Sequence, residues 1–295
     1  MEFRSGFVSI IGRPNVGKST LLNQIIGEKI SIISDKPQTT RNQIKCIFTN
    51  DKMQVVFLDT PGIQKAKNDL GKYMEVQTFE ALKDIDAVVW VVDNSKEMGK
   101  WDQFILEKMK GLKVPKILVL NKIDLLSEAL LERLIDKFDD MELFDAIVPI
   151  SAKEGANTNG VMTALYNVLE EGPMYYPDDM ITDQTERVIV SEIIREKGLH
   201  YLDQEVPHGI AVSVEKFSQR ANQEIIDIHA TIHCEKESHK GIIIGKGGRK
   251  LKGIGKSARE EIEKFMGSKV NLQLWVKVNK NWREKEHLVK RMGYK

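Results

Sequence analysis

Five short apolar runs punctuate the first half of the chain, at residues 7–11, 55–58, 87–92, 117–120 and 146–150. Each is nearly free of polar residues and reads as a strand buried on both faces. A sixth, more mixed run at 43–49 reads as another strand. Between them apolar residues recur at helical spacing, as with Leu21, Leu22, Ile25 and Ile26, and again with Val161, Leu165, Val168 and Leu169. Strands that alternate with helices predict a doubly wound α/β domain with a mixed, mostly parallel sheet. The pattern stops at 170–179, where two prolines, a glycine and four acidic residues deny the chain a helix. Beyond it the rhythm changes. Asp183 followed by Glu186 suggests a capping box at the start of a helix. Residues 210–217 and 225–234 read as strands, the second alternating Ile226, Ile228, Ala230, Ile232 and Cys234 with Asp227, His229, Thr231 and His233. A short apolar helix, a longer helix with Leu251, Ile254, Ala258, Ile262 and Phe265 on one stripe, and a strand at 272–278 complete an α+β domain. Asn281-Trp282-Arg283-Glu284 suggests a last capped helix, and the tail ends in Lys290, Arg291 and Lys295. The predicted division is 1–172, a linker at 173–182, and 183–295.

At 295 residues, 41% of them apolar, the chain is long enough for two cores. Cys46 and Cys234 lie far apart and form no disulfide framework, which favours a reducing compartment. The N-terminus lacks the apolar core of a signal peptide, and no stretch approaches a membrane span. These features lead to the expectation of a soluble cytoplasmic protein with no obligate oligomer. The net charge of +1 conceals a split: 22 basic against 27 acidic residues over 1–180, and 22 against 16 over 181–295. From Lys240 to Lys295 the count is 16 against 5, a footprint for a polyanion.

The chemistry collects at the ends of the predicted strands. Gly12-Arg13-Pro14-Asn15-Val16-Gly17-Lys18-Ser19 follows the first strand and opens the first helix, the context that a phosphate-binding P-loop needs. Backbone N–H groups from Asn15 to Thr20, Val16 and Gly17 included, are placed to cradle phosphates; Lys18 is placed for the β- and γ-phosphates, and Ser19 for Mg²⁺. Residues 28–42, with Ser31, Ser34, Pro37 and then Gln38-Thr39-Thr40-Arg41, read as a mobile loop. In it the Thr40 hydroxyl completes the Mg²⁺ shell and senses the γ-phosphate. Asp59-Thr60-Pro61-Gly62 supplies a carboxylate that holds Mg²⁺ through water, and an N–H at Gly62 for the γ-phosphate. Lys18, Thr40 and Gly62 are thus the candidate catalytic groups. The next residue, Ile63, cannot orient water by hydrogen bonding, which predicts slow intrinsic hydrolysis; Gln64 stands one position late. Asn121-Lys122-Ile123-Asp124 makes the base specific. The Asp124 carboxylate pairs with N1–H and the 2-amino group of guanine, the Asn121 amide meets the 6-oxo edge, and the Lys122 stem covers the ring. Ser151-Ala152-Lys153 adds the Ala152 N–H for the 6-oxo group and Lys153 for stacking. The implied substrate and product are GTP and GDP, with Mg²⁺.

In the second half, Gly245-Lys246-Gly247-Gly248 is a G-x-x-G loop between two helices, preceded by Ile242 and followed by Arg249 and Lys250. Its glycines admit a nucleic-acid backbone and its cations meet phosphates, as in a KH module. His229 and His233 are four residues apart on one strand, roughly 13 Å, too far for joint metal ligation; they are expected to be solvated or to face RNA. Trp275 shares a strand face with Lys277, and packing beneath the last helix is expected rather than base stacking.

Together GRPNVGKS, QTTR, DTPG, NKID, SAK and the basic GKGG loop resemble the Era family of bacterial small GTPases, along essentially the whole chain. The resemblance implies a P-loop GTPase domain followed by a type II KH RNA-binding domain. It further implies binding of the 3′ end of small-subunit ribosomal RNA and a role in assembly of the small ribosomal subunit. It also makes Asn15 a candidate ligand of a potassium ion near the phosphates. An alternative reading is a switch for a protein effector or for a membrane surface, since lipid phosphates also attract the basic C-terminal segment.

Overall fold

Strands buried on both faces form the centre of the first unit. The computed structural model describes residues 2–34, 36, 38–95, 97–221 and 224–294; Pro37 of the expected loop and Lys295 of the basic tail lie outside them. β1 (Arg4–Ile11), β2 (Ile44–Thr49), β3 (Met53–Asp59), β4 (Ala87–Val92), β5 (Lys116–Leu120) and β6 (Ala146–Pro149) form one sheet in the order β2-β3-β1-β4-β5-β6. Only β2 runs antiparallel to its neighbour, so the sheet is mixed and mostly parallel, as predicted. Successive residues of β4 point to opposite faces and feed two cores. Ala87, Val89 and Val91 pack with Leu21 and Leu22 of α1 (Lys18–Ile26) and Val161 and Leu165 of α5 (Thr158–Val168). Val88, Trp90 and Val92 pack with Ile105 and Met109 of α3 (Lys100–Lys110) and Leu134 and Phe138 of α4 (Glu128–Asp139). This two-sided burial explains why the runs read as continuously apolar. It also leaves the strands' carboxyl ends as the free edge where loops gather.

The second unit is built on a three-stranded sheet, β7 (Ala211–Gln219), β8 (Ile225–Cys234) and β9 (Lys269–Val278), in that order. β7 and β8 are antiparallel, β8 and β9 parallel. One core joins Ile226, Ile228, Ala230 and Ile232 of β8 to Ile193 and Ile194 of α6 (Glu186–Tyr201), Ile243 of α7 (Glu237–Ile244) and Ile254, Ala258 and Ile262 of α8 (Arg249–Met266). The stripe predicted for α8 is the buried face.

The units do not divide where the composition suggested. The first comprises Met1–Ser31, Thr40–Lys65 and Met74–Asp183; the second comprises Ile32–Thr39, Ala66–Tyr73 and Gln184–Lys295. The expected linker therefore packs on the first unit. Gln54, fully buried on β3, receives the N–H groups of Tyr175 and Tyr176 at 2.7 and 3.0 Å and donates to the Tyr176 carbonyl at 2.8 Å. Ile47 of the edge strand β2 donates to the Ile181 carbonyl at 2.9 Å. An edge strand with open backbone groups is satisfied this way. Residues 32–39 meanwhile belong to the second unit. Ile32 sits in its core, Glu196 accepts the Ile33 N–H at 3.1 Å, and the buried Arg195 guanidinium donates to the Thr39 carbonyl.

Four local expectations change. α6 is capped at Thr185, without a side-chain hydrogen bond, rather than at Asp183. Asn281 precedes a single 3-10 turn, Trp282–Glu284, and the last helix α9 (Glu286–Arg291) begins after Lys285. His233 is buried rather than solvated: its ring nitrogens lie 2.7 Å from Ser213 Oγ and 2.7 Å from Asn279 Nδ2. Trp275 is 48% exposed, while Trp282 is the tryptophan that is packed away, its Nε1 donating to the Gly209 carbonyl at 2.9 Å.

Candidate functional site

The nucleotide site assembles at the carboxyl edge of the first sheet. β1 ends at Ile11 and the chain turns at once through the P-loop into α1. Gly17 caps that helix at φ +100°, and a Cβ there would stand 2.2 Å from Asn121 Nδ2, so the position requires glycine twice over. The helix N-terminus and the loop N–H groups face the space above the sheet edge. Lys18 is buried, with Nζ donating to the carbonyls of Gly12 and Arg13 at 3.2 and 3.0 Å. Burial lowers its pKa to about 8, partly opposed by the Asp59 charge. An ammonium so weakly solvated has much to gain from a phosphate.

Ser19, Thr40 and Asp59, the predicted metal set, converge. Ser19 Oγ lies 3.1 Å from Thr40 Oγ1 and donates to Asp59 Oδ2 at 3.0 Å. The other carboxylate oxygen, Oδ1, is buried without a hydrogen-bond partner. Burial raises the Asp59 pKa, only partly opposed by the Lys18 charge and by hydrogen bonds such as that from Ser19. Three hard oxygens with one orphaned carboxylate atom fit Mg²⁺, which favours carboxylate and hydroxyl oxygen and keeps several waters. When bound, the ion supplies positive charge between the phosphates. Beyond Asp59 the chain folds across the P-loop: Ile63 N–H donates to the Gly12 carbonyl at 3.1 Å, and Gly62 lies against Pro14. Ile63 itself is buried in the core, consistent with its inability to orient water. Gln64 is half-buried, with its amide nitrogen unpartnered.

The base loops are cross-braced. Asn121 Nδ2 donates to the Val16 carbonyl at 2.8 Å, and its Oδ1 accepts the N–H groups of Lys122 and Ala152 at 2.8 and 2.9 Å. This alters two expectations. The Ala152 N–H, anticipated on the guanine 6-oxo group, is given to Asn121, and Asn121 acts as a strut between three loops. Asp124 is exposed and accepts from Ser151 Oγ at 2.6 Å through Oδ1, which orients the carboxylate. Lys122, at φ +67°, donates from Nζ to the Asn15 carbonyl at 2.9 Å. Lys153 is exposed beside Glu154, free of the core and able to lie over a base.

One group escaped the sequence reading. Asp93, at the end of β4, binds the Arg13 guanidinium at 2.9 Å through Oδ1 and Lys122 Nζ at 3.4 Å through Oδ2, while Arg13 Nε donates to buried Asp102 at 2.8 Å. The neighbouring cations and the Ser95 hydroxyl oppose burial and hold the Asp93 pKa below the usual carboxylate range. Asp93 thus joins the P-loop to the base-reading loop. Its signal was present in the sequence, a carboxylate closing a buried strand as Asp59 does.

The second unit presents the glycine loop between α7 and α8. Gly247 is at φ +62° with nothing within 4 Å of a Cβ position, an exposed turn that leaves room for a ligand backbone. Gly248 N–H donates to the Gly245 carbonyl at 3.0 Å, and Arg249 Nε to the Lys246 carbonyl at 3.2 Å, which fixes the turn. Ile242, Lys246 and Arg249 are exposed, and Gly245, Gly248 and Lys250 half-buried. All seven residues expected to meet RNA therefore lie on one loop and its flanks.

Comparison with known proteins covers both units. The family model described as 50S ribosome-binding GTPase matches residues 7–122, and that described as KH domain matches residues 205–283. GTPase Era of Alkaliphilus metalliredigens is 58% identical over 294 residues, covering 100% of each chain. GTPase Era of Clostridioides difficile is 57% identical over 293 residues, covering 99% of each. Among solved structures, Era in complex with MgGDPNP and nucleotides 1506–1542 of 16S ribosomal RNA superposes with a TM-score of 0.96 at 39% identity. A variant of Aquifex aeolicus Era bound to GDP and AlF4⁻ superposes with a TM-score of 0.96 at 38% identity. Each covers 99% of this chain and is itself 99% covered.

Proposed function

Since this chain belongs to the GTPase Era family, a P-loop GTPase followed by a KH domain, we propose that it is a GTP-controlled switch that grips the 3′ end of small-subunit ribosomal RNA during assembly of the small ribosomal subunit. The nucleotide is held by the P-loop from Asn15 to Thr20 and by Lys122, Asp124 and Lys153, while Asn121, Ser151 and Ala152 brace the loops that carry them. Ser19, Thr40 and, through water, Asp59 hold Mg²⁺. Lys18 and the N–H of Gly62 stabilise charge on the transferring phosphoryl group. Ile242, Gly245, Lys246, Gly247, Gly248, Arg249 and Lys250 bind the RNA strand.

One observation carries the switch. The residues that lead into Thr40 are packed with the KH unit, through Ile32 and through the Arg195 bond to the Thr39 carbonyl. A γ-phosphate and Mg²⁺ that draw on Thr40 therefore pull on a segment that belongs to the RNA-binding unit. Two free, buried cysteines support a reducing, cytoplasmic setting. Among the described residues no helix is long and apolar enough to cross a membrane. Peripheral attachment to the inner membrane face through the basic segment is the second reading.

RNA affinity measured with GTP and with GDP tests the proposal, using a single-stranded oligonucleotide that copies the 3′ end of small-subunit ribosomal RNA. Tighter binding with GTP and stimulated hydrolysis are expected. Gly247→Asp places a carboxylate where the phosphates lie, and weakens binding about tenfold or more with GTP hydrolysis unchanged. Equal affinity in both nucleotide states, or binding indifferent to Gly247→Asp, overturns the switch and directs attention to anionic vesicles. A potassium ion bound through Asn15 adds a second expectation: hydrolysis is faster in K⁺ than in Na⁺, and the difference disappears in Asn15→Ala. Equal rates in the two salts remove that ion from the site.

A further inference from the structure

We propose that the face of the β7-β8-β9 sheet opposite its core with α6, α7 and α8, centred on Trp275, is a second RNA surface, on which a nucleobase of the strand leaving the glycine loop stacks. The proposal rests on the KH reading given above. β9 is an edge strand, and its apolar residues Leu272, Leu274, Val276 and Val278 face the core shared with α7 and α8. Its alternate residues point the other way, onto the opposite face, which is closed around the buried His233 and open at Trp275. There Trp275 leaves 48% of its surface exposed. The His229 ring packs across it, with centroids 5.3 Å apart and planes at 66°, which steadies the indole on the sheet.

A tryptophan this exposed is uncommon, and lysines flank this one. Lys216, paired with His229 across the sheet, is 48% exposed at its side chain. Lys277 lies two positions along β9 from Trp275 and is exposed, as is Lys269 at the strand's start. Of the carboxylates near these residues, Asp227 is paired with Arg220 at 2.8 Å and Lys216 at 3.7 Å, Glu263 with Lys269 at 3.9 Å, and Glu215 accepts from Ser213 Oγ at 2.6 Å. An open aromatic face between lysines is the arrangement that single strands use, with bases on the ring and phosphates on the cations. RNA is the occupant favoured over lipid, because a KH groove holds only about four nucleotides. The related Era complex carries nucleotides 1506–1542, far more than one such groove spans.

The test compares two RNAs, an oligonucleotide of about six nucleotides that fills only the groove and a longer one spanning 1506–1542. Trp275→Ala should weaken the long RNA about tenfold and leave the short one unchanged, while Trp275→Phe stays within about threefold of the parent. Lys277→Glu, which leaves the packing intact, should weaken the long RNA and lower the salt dependence of its binding by about one ion. Tryptophan emission quenched by the long RNA should lose a component in Trp275→Phe. Unchanged long-RNA affinity in both Trp275→Ala and Lys277→Glu overturns the proposal. So does loss of binding to phosphatidylserine vesicles alone, which would assign the face to lipid. If Gly247→Asp also leaves both RNAs bound, it is the KH reading that has failed instead.

Discussion

Replacing Asp124 by Asn should reduce GTP affinity on the order of 10⁴-fold and bring xanthosine triphosphate into the site. In the proposed base site, guanine presents two donors, N1–H and the 2-amino group, to the Asp124 carboxylate. An asparagine keeps the Ser151 hydroxyl bond to one oxygen, at 2.6 Å in the parent, so the loop is not dismantled. It turns an N–H toward the guanine 2-amino group, however, and two donors then face each other with no acceptor between them. Xanthine carries a carbonyl at that position and accepts from the new amide. Calorimetric titration with both triphosphates checks the expectation, and turnover of the xanthine nucleotide should stay within a few-fold of the parent rate on GTP. An undiminished preference for guanine would remove Asp124 from the base contact.

Lys18→Ala should lower GTP hydrolysis by about 10²- to 10³-fold in single-turnover measurements with Mg²⁺ present. The buried Lys18 ammonium donates to the carbonyls of Gly12 and Arg13, at 3.2 and 3.0 Å, and burial, partly opposed by the Asp59 charge, has brought its pKa down to about 8. It is therefore charged at neutral pH but poorly solvated, and phosphate oxygens offer it better partners than the two carbonyls. Alanine leaves the loop N–H groups and removes an ammonium placed for the charge that develops on the transferring phosphoryl group. Lys18→Arg should not restore the rate, because a planar fork does not fit the space of a compact ammonium. A variant that retains hydrolysis within tenfold would transfer that role to Mg²⁺ and the backbone.

Much of this was legible before the fold was known. The five apolar runs, the loops at their carboxyl ends and the glycine turn between two helices are short-range features. Their meaning depends on residues a few positions away. Gly17 and Gly247 were legible as loop glycines, and the fold adds that both take positive φ, at +100° and +62°. Ser19, Thr40 and Asp59 were also readable as a group, although 40 residues separate the first from the last, because each type of loop has one place at the sheet edge.

What escaped the reading was the choice of partner among groups distant in sequence. Asp93 was visible as a polar strand end, but nothing near it named Arg13 or Lys122, 80 and 29 residues away, as its partners. Ala152 was read as a donor to the base, yet the fold set Asn121 Oδ1 at 2.9 Å from it. The acidic, proline-containing stretch after 170 looked like a tether. Its neighbour turned out to be an edge strand and a buried Gln54, and these determined its course.

The sequence by itself therefore determined the buried strands, the two-domain division of chemistry and the identity of each loop, because periodicity and glycine chemistry act within a turn or a strand. The tertiary structure alone decided which loop braces which, that residues 32–39 belong with the KH unit, and which tryptophan is covered. Alternation along β9 was enough to turn Trp275 away from Leu274 and Val276. Whether another element lies over that face is set by the path of the whole chain, and the α9 region that was expected to cover it buries Trp282 instead.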